Sequence, residues 1–333
     1  MIKKNRNIFF VLLLLVFLSC EKAEKPYTLS PKGACRMLRV DLGSDYKKMA
    51  FVNIEDSSIY LADNKCWELA FDASIVGNLI YVNGGKYAFI ANTGKTTFIP
   101  SLDYSSLIYS CDPSNGNVDS LAMKNWCNAN NSSKQNVYAI DRGVDIALVE
   151  NRFKQFIIRS VSDSGYWLTF SNYSGTDTTT IFIEKDHSKN LVYFNFENKG
   201  IVLNFEPEKT QWHFCFNQYA EIFDIAGKPT PYALTGVFIN PSKIIVAVDS
   251  INEFEKITPE LAKTFQYKNT RNTIGYDWKI YDQIAANYTI RKHVNYILQT
   301  IDSNRKQIWK LRFIDFYNNG IKGSPKFEYL RIE

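Results

Sequence analysis

From Pro31 onward the chain falls into short runs in which β-branched and aromatic residues alternate with polar ones or follow each other, each run closed by turn residues. That texture predicts strands. They are expected at Met49 to Ile54, Cys66 to Asp72, Asn78 to Val82, Tyr87 to Ala91, Arg152 to Ser160, Tyr166 to Asn172, Thr179 to Glu184, Leu191 to Phe196, Gly200 to Phe205 and Trp212 to Phe216. The pattern resumes at Tyr232 to Ile239, Lys243 to Val248, Trp278 to Tyr281, Asn295 to Thr300 and Ile308 to Tyr317. Asn83-Gly84-Gly85 supplies the positive φ of a tight hairpin between its flanking runs. A single helix is predicted, with Thr258 as N-cap, Pro259 at the first helical position and Glu260 to Phe265 following.

Cys111 to Lys134 is rich in Asn, Ser, Asp and Gly and has no period, which places a division there. The expected organisation is a first β-rich unit over 31–120, an irregular boundary over 121–136 and a second β-rich unit over 137–333. A short echo relates the two. Trp67-Glu68-Leu69-Ala70-Phe71-Asp72 and Trp212-His213-Phe214-Cys215-Phe216-Asn217 share one pattern, and each is followed by a β-rich return containing Asn83 or Asn240. Strict alternation sets the Trp and the two apolar residues after it on one face, as in a repeated core strand. The predicted fold is all-β, built from antiparallel sheets in two related units with at most one or two short helices.

The totals agree with this. Aromatic residues make up 15% of 333 residues, with 23 Phe and 20 Tyr, and such side chains suit pleated half-buried surfaces. Lys3, Lys4 and Arg6 precede an apolar run from Ile8 to Leu18, the layout of a secretory signal over residues 1–19 and too short to span a bilayer. Phe17-Leu18-Ser19-Cys20 resembles a bacterial lipobox, in which the cysteine is lipidated and becomes the new N-terminus; Phe17 departs from the usual aliphatic residue. Residues 20–30 then form a mixed-charge tether, and the membrane is met through the lipid anchor only. Without the signal, 36 basic residues face 34 acidic ones, so the net charge of +5 falls to +2 and nucleic acid is not an expected partner.

An exported compartment permits disulfides among Cys35, Cys66, Cys111, Cys127 and Cys215, with Cys111 and Cys127 the nearest pair, although buried small apolar cysteines are an equal reading. No cysteine or histidine pair has zinc-site spacing. No HExxH, GxSxG, P-loop or GxGxxG motif is present, and acids such as Glu184 and Asp186 lie in a solvated turn, so the reading is non-catalytic.

Cys66-Trp67-Glu68-Leu69-Ala70-Phe71-Asp72 with Leu79-Ile80-Tyr81-Val82-Asn83-Gly84-Gly85 is similar to the Trp-x-Leu-Ala-Phe strand and Asn-Gly turn of the HmuY-like family of exported lipoproteins from Bacteroidetes-type bacteria. The C-terminal order resembles that family's closing strands. It runs Ile274-Gly275-Tyr276-Asp277-Trp278-Lys279, Tyr296-Ile297-Leu298-Gln299-Thr300, Trp309-Lys310-Leu311-Arg312-Phe313, Phe316-Tyr317-Asn318-Asn319-Gly320 and Gly323-Ser324-Pro325-Lys326-Phe327-Glu328-Tyr329. The resemblance covers about two thirds of the mature chain. It implies a lipoprotein of the outer-membrane surface that binds haem and delivers it to a TonB-dependent transporter, with two axial His or Met side chains on the iron.

The candidate ligands here are His213, on the strand face opposite Trp212, His187 in a polar turn, and Met123 in the irregular segment beside Trp126. Each has a plainer reading: a solvent-facing strand residue for His213, a solvated turn residue for His187. His293 sits beside two cations, and Met37 and Met49 flank strands where packing is the default. The alternative is a glycan- or protein-binding surface lipoprotein without haem, its six Trp and many Tyr offering stacking faces.

Overall fold

The computed structural model describes residues 34–333; the signal, Cys20 and the tether lie outside the described residues. Three strands come first: β1 (Arg36–Arg39), β2 (Lys48–Asn53) and β3 (Ser58–Asp63). Next come β4 (Leu69–Asp72), β5 (Ile80–Val82), β6 (Phe89–Asn92), β7 (Tyr138–Asp141), β8 (Phe153–Val161), β9 (Gly165–Ser171), β10 (Thr178–Glu184), β11 (Leu191–Asn195) and β12 (Ile201–Leu203). The last group is β13 (Phe214–Ile225), β14 (Lys228–Ile239), β15 (Ile244–Asp249), β16 (Lys279–Asp282), β17 (Asn287–Ile290), β18 (Asn295–Thr300), β19 (Ile308–Asn318) and β20 (Ile321–Arg331). Among the described residues, two one-turn α-helices, α1 (Val149–Arg152) and α2 (Pro259–Ala262), and five 3-10 turns complete the regular structure. Thr258 caps α2 as expected, its hydroxyl accepting from the Leu261 N–H.

The fold is all-β and its ladders are antiparallel. Strands β4 to β12 build a first unit from a sheet in the order β10-β9-β8-β7-β6 and a sheet in the order β12-β11-β4-β5. Between them lies a core that includes Leu69, Phe71, Ile140, Phe156, Leu168 and Phe194. The second unit repeats the plan strand for strand, as β1-β20-β19-β18-β15 and β3-β2-β13-β14, around Val52, Phe214, Phe216, Trp278, Leu311 and Phe327. Its last three strands are β1, β2 and β3. The chain therefore begins inside the second unit, makes the whole of the first, and returns to finish the second. Residues 93–137 and 250–294, segments of equal length, occupy equivalent places, the latter carrying the β16–β17 hairpin.

This topology corrects the expected division. Residues 121–136 lie between β6 and β7, which pair with each other, and Met123 and Trp126 from that segment pack into the first core. The segment is an excursion within one unit, and the described N-terminal strands, over 36–63, belong with the far end of the chain. Apolar pattern locates strands but does not say which strands pair, because pairing is decided by contacts distant in sequence. Strands β1, β3, β7, β17 and β20 are additional to those predicted from the pattern, β20 having entered only through the resemblance; β3 is largely exposed and β7 is only four residues long, so neither carries a strong alternation.

The Asn83-Gly84-Gly85 turn is also different in kind. It is a single 3-10 turn over Gly84–Lys86 that carries the chain from β5 in one sheet to β6 in the other, and the positive φ falls on Tyr87, at +61°. The two glycines answer to close approach instead. A Cβ on Gly84 would lie 2.6 Å from the Cβ of Ala220, and one on Gly85 would lie 2.0 Å from the Gln218 carbonyl oxygen, both on β13 of the other unit. Of the two readings left open for the cysteines, the structure has the unpaired one: all five described cysteines are free, Cys111 and Cys127 included, and Cys127 lies 3.6 Å from the Asn78 amide.

Because the obstacle at Gly85 is backbone, which cannot swing aside, Gly85→Ala is expected to destabilise the protein by about 3 kcal/mol, the upper end of the overpacking range. A urea denaturation series reads this directly. A loss below about 0.5 kcal/mol, within the range of neutral surface changes, would show that the two units are not held in contact at this turn.

Candidate functional site

The sequence echo marks a repeated bend. Trp67 and Trp212 each stand two residues before their strands, β4 and β13, and the bend at Glu68 or His213 turns the indole away from the core filled by the following residues. Each bend is bracketed by one asparagine. The Asn83 side-chain amide donates to the carbonyls of Asn64 (2.7 Å) and Trp67 (3.0 Å), and that of Asn240 to the carbonyls of Lys209 (2.7 Å) and Trp212 (2.9 Å). The backbone N–H of each asparagine closes onto the bend residue, Glu68 O at 2.9 Å and His213 O at 2.8 Å. Placing the Trp on the same face as Leu69 and Phe71, or Phe214 and Phe216, is thus corrected: alternation holds only where the strand is extended.

Both indoles instead enter a cleft between the two units. Ladder register pairs its lining residues: Ala70 lies between Tyr193 and Tyr81 as Cys215 lies between Phe51 and Phe238. Trp67 meets Tyr193 edge to face with centroids 5.0 Å apart, and Trp212 meets Phe51 at the same separation. Leu191 and Met49 are a further equivalent pair on these walls. Phe205 joins the halves, its ring 4.3 Å from that of Tyr193 and 6.5 Å from that of Phe51. The remaining space is about 300 Å³, at the small end of ligand pockets.

The polar groups break the symmetry. Tyr193 carries a hydroxyl where the equivalent Phe51 has none, and it donates to Glu206 Oε2 at 2.9 Å, while the Asn190 N–H donates to Oε1 at 3.0 Å. Burial pushes the Glu206 carboxyl up to about 7 against these two donors, because a carboxylate loses more hydration than two neutral hydrogen bonds restore. Arg271 stacks over both Tyr81 (4.9 Å) and Phe238 (4.1 Å), so one cation rests on the equivalent rings of the two units. Burial pushes the Cys215 thiol far up, and it stays protonated. An apolar, aromatic, two-sided pocket with one hydrogen-bonded carboxyl and one stacked guanidinium is suited to holding a flat organic molecule.

The sequence candidates lie elsewhere. His213 is fully buried, neither solvent-facing nor in the cleft: its Nδ1 accepts from the Ile54 N–H at 3.3 Å and its Nε2 faces Glu55 at 3.4 Å. Burial lowers its pKa to about 4 and outweighs the nearby carboxylate, so the ring is neutral at pH 7. His187 is an exposed turn residue whose Nδ1 meets the Ala73 carbonyl at 2.8 Å. Met123 is buried in the core of the first unit. The three are not assembled around a common point in the cleft, and Met49 is the one His or Met among the residues that line it. Among the described residues no group of His, Cys, Asp and Glu is arranged to hold a metal ion. No described helix is long and apolar enough to cross a membrane.

Phe51, Tyr193, Glu206 and Arg271 were not marked by sequence. The Trp echo was the available signal for the cleft walls, whereas Glu206 and Arg271 have no counterpart motif. A glycan platform would need exposed rings; Trp67 and Trp212 are buried, and Trp167 on β9, half exposed beside Phe182 at 5.0 Å, is the Trp that qualifies.

The Glu206 pKa fixes the sign of a pH effect. Its folded value of about 7 exceeds the ordinary 4.5, so between these values the folded state binds more protons than the unfolded one, and stability falls as pH rises. The loss is on the order of 3 kcal/mol by pH 8. Urea denaturation at pH 5 and pH 8 should show a steeper decline for the parent chain than for Glu206→Gln; equal declines would mean that Glu206 ionises as it does in water.

No protein-family model and no curated protein matches this chain. Among solved structures, a protein of Bacteroides vulgatus ATCC 8482 described as HmuY-like and heme binding aligns over 89% of this chain and 91% of its own at 9% identity, with a TM-score of 0.24. A lipoprotein of Bacteroides fragilis NCTC 9343 aligns over 91% and 92% at 14% identity, also with a TM-score of 0.24. At that identity and superposition neither carries an argument about ligand or activity.

Proposed function

We propose that this protein is a non-catalytic capture protein, exported and held at the outer-membrane surface by a lipid on Cys20, that keeps a small flat organic ligand in the cleft between its units. The observation that supports it is the convergence of equivalent aromatic pairs, Trp67 with Tyr193 and Trp212 with Phe51, on one open space to which both units contribute. Delivery of the ligand to a TonB-dependent transporter completes the reading, as the sequence resemblance implies.

Haem is the ligand that the resemblance implies, and the residues present do not fit its usual needs. Axial ligation takes two side chains on opposite faces of the iron. His213 is sealed inside the second unit, Met123 inside the first, and the cleft offers Met49 alone. The ligand class the cleft favours is therefore a flat apolar molecule held by stacking and burial rather than through a metal. Glycan binding is the second reading, supported by the exposed Trp167, which packs beside the partly buried Phe182.

A titration of the chain from Glu21 onward with the neutral probe N-phenyl-1-naphthylamine is expected to give saturable one-to-one binding with quenching of Trp emission. Leu191→Trp, which fills the cleft from a partly exposed wall position, should abolish it while leaving the unfolding free energy from urea denaturation within about 1 kcal/mol of the parent. Ferric and ferrous haem are titrated in parallel. A six-coordinate Soret spectrum that disappears in His213→Ala or His187→Ala would move the ligand out of the cleft and restore the axial-ligand reading.

A further inference from the structure

A second, wider depression of about 770 Å³ adjoins the cleft, and Lys209 and Ser242 line both. The basic residues facing that depression are Lys209, Lys243, Arg305, Lys306 and Arg331, against the acidic Glu55, Asp302 and Glu333. The acids are engaged locally. Glu55 lies 3.7 Å from Lys243, Glu333 pairs with Lys263 at 2.8 Å, and Asp302 accepts from the Asn304 N–H at 2.9 Å. Arg305 and Lys306 are exposed, and among the described residues neither side chain has an ion-pair partner. The apolar slot thus shares its rim, at Lys209 and Ser242, with a basin lined by five basic and three acidic residues.

The interior carboxyl does not call for a cation, because both Glu206 oxygens already accept hydrogen bonds from Tyr193 and Asn190. Of the cations on the cleft wall, Arg271 lies face-on over Tyr81 and Phe238 and Lys189 pairs with Asp186 at 3.6 Å, so the exposed cations nearest the rim that lack an ion-pair partner among the described residues are those of the basin. We propose that the ligand is an amphiphilic anion: its flat apolar body occupies the aromatic cleft and an oxyanion, such as a carboxylate, sulfonate or phosphate, reaches past Lys209 toward Arg305 and Lys306. This rests on the cleft being the binding site. It adds what the proposed function leaves open, the charge of the ligand and the direction in which it lies.

Two probes that share an anilinonaphthalene body separate the ideas: neutral N-phenyl-1-naphthylamine and 8-anilino-1-naphthalenesulfonate, which adds one sulfonate. With the chain from Glu21 onward at low salt, the sulfonate is expected to bind about tenfold more tightly, the scale of one charge-assisted contact. That advantage should shrink at high salt, where charges separated by water are screened. The double variant Arg305→Ala with Lys306→Ala should remove most of it while leaving the neutral probe's affinity as in the parent. Equal affinities for the two probes, or an advantage that survives in the double variant, would overturn the anion proposal while the cleft reading stands. Failure of both probes to bind saturably would overturn the cleft reading and this proposal with it.

Discussion

Two asparagine side chains, each donating to two carbonyls around a bend, set the geometry on which the candidate site depends. Without the bracket from Asn83 the chain before β4 has no reason to leave the extended path, and Trp67 would follow Leu69 and Phe71 toward the core; Asn240 does the same for Trp212. Two donors on one planar amide meet two carbonyls that would otherwise be left without partners in the interior, where each unmade hydrogen bond costs about 1–3 kcal/mol. A charge or its neighbour then reinforces each bend. Lys86, three residues after Asn83, pairs with the buried Glu68 at 2.6 Å, and Lys243, three residues after Asn240, lies beside Glu55, which faces His213.

The same plan executed twice explains why the cleft has two like walls. Strand order and ladder partners agree between the units, so residues at equal steps from the two Trp come to equal places. The copies differ in their polar groups. Tyr193 in place of Phe gives Glu206 a donor, and Arg271, from the long excursion of the second unit, stacks on a ring from each wall. Lys209, which lies just before the second bend, joins the cleft to the basic depression. The repeated scaffold supplies the apolar surface, and Tyr193, Glu206 and Arg271 supply the polar groups on it.

Holding the units together takes close backbone contact as well as apolar burial. Gly84 and Gly85 let the turn after β5 reach β13, where the Asn64 amide and the Lys65 ammonium both bond Gln218, at 3.0 Å and 2.9 Å. Because the N-terminal strands β2 and β3 complete the second unit, the segment from Asn64 to Trp67 is the one that passes from it into the first. The cleft is bounded by that crossing and by Phe205 near the return.

The sequence by itself determined the all-β class, most strand positions, the capped helix at Thr258 and the existence of a Trp-centred echo, because each follows from residues close together in the chain. Tertiary structure decided the rest. Which strands complete which unit depends on ladders between residues as distant as Arg36 and Tyr329. Whether His213 faces solvent or is sealed, and whether Trp67 serves core or cleft, depends on what packs against them, which no local period records. Glu206 is an ordinary acid in sequence and a shifted one in the fold, because desolvation is a property of the space around a side chain and not of its neighbours along the backbone.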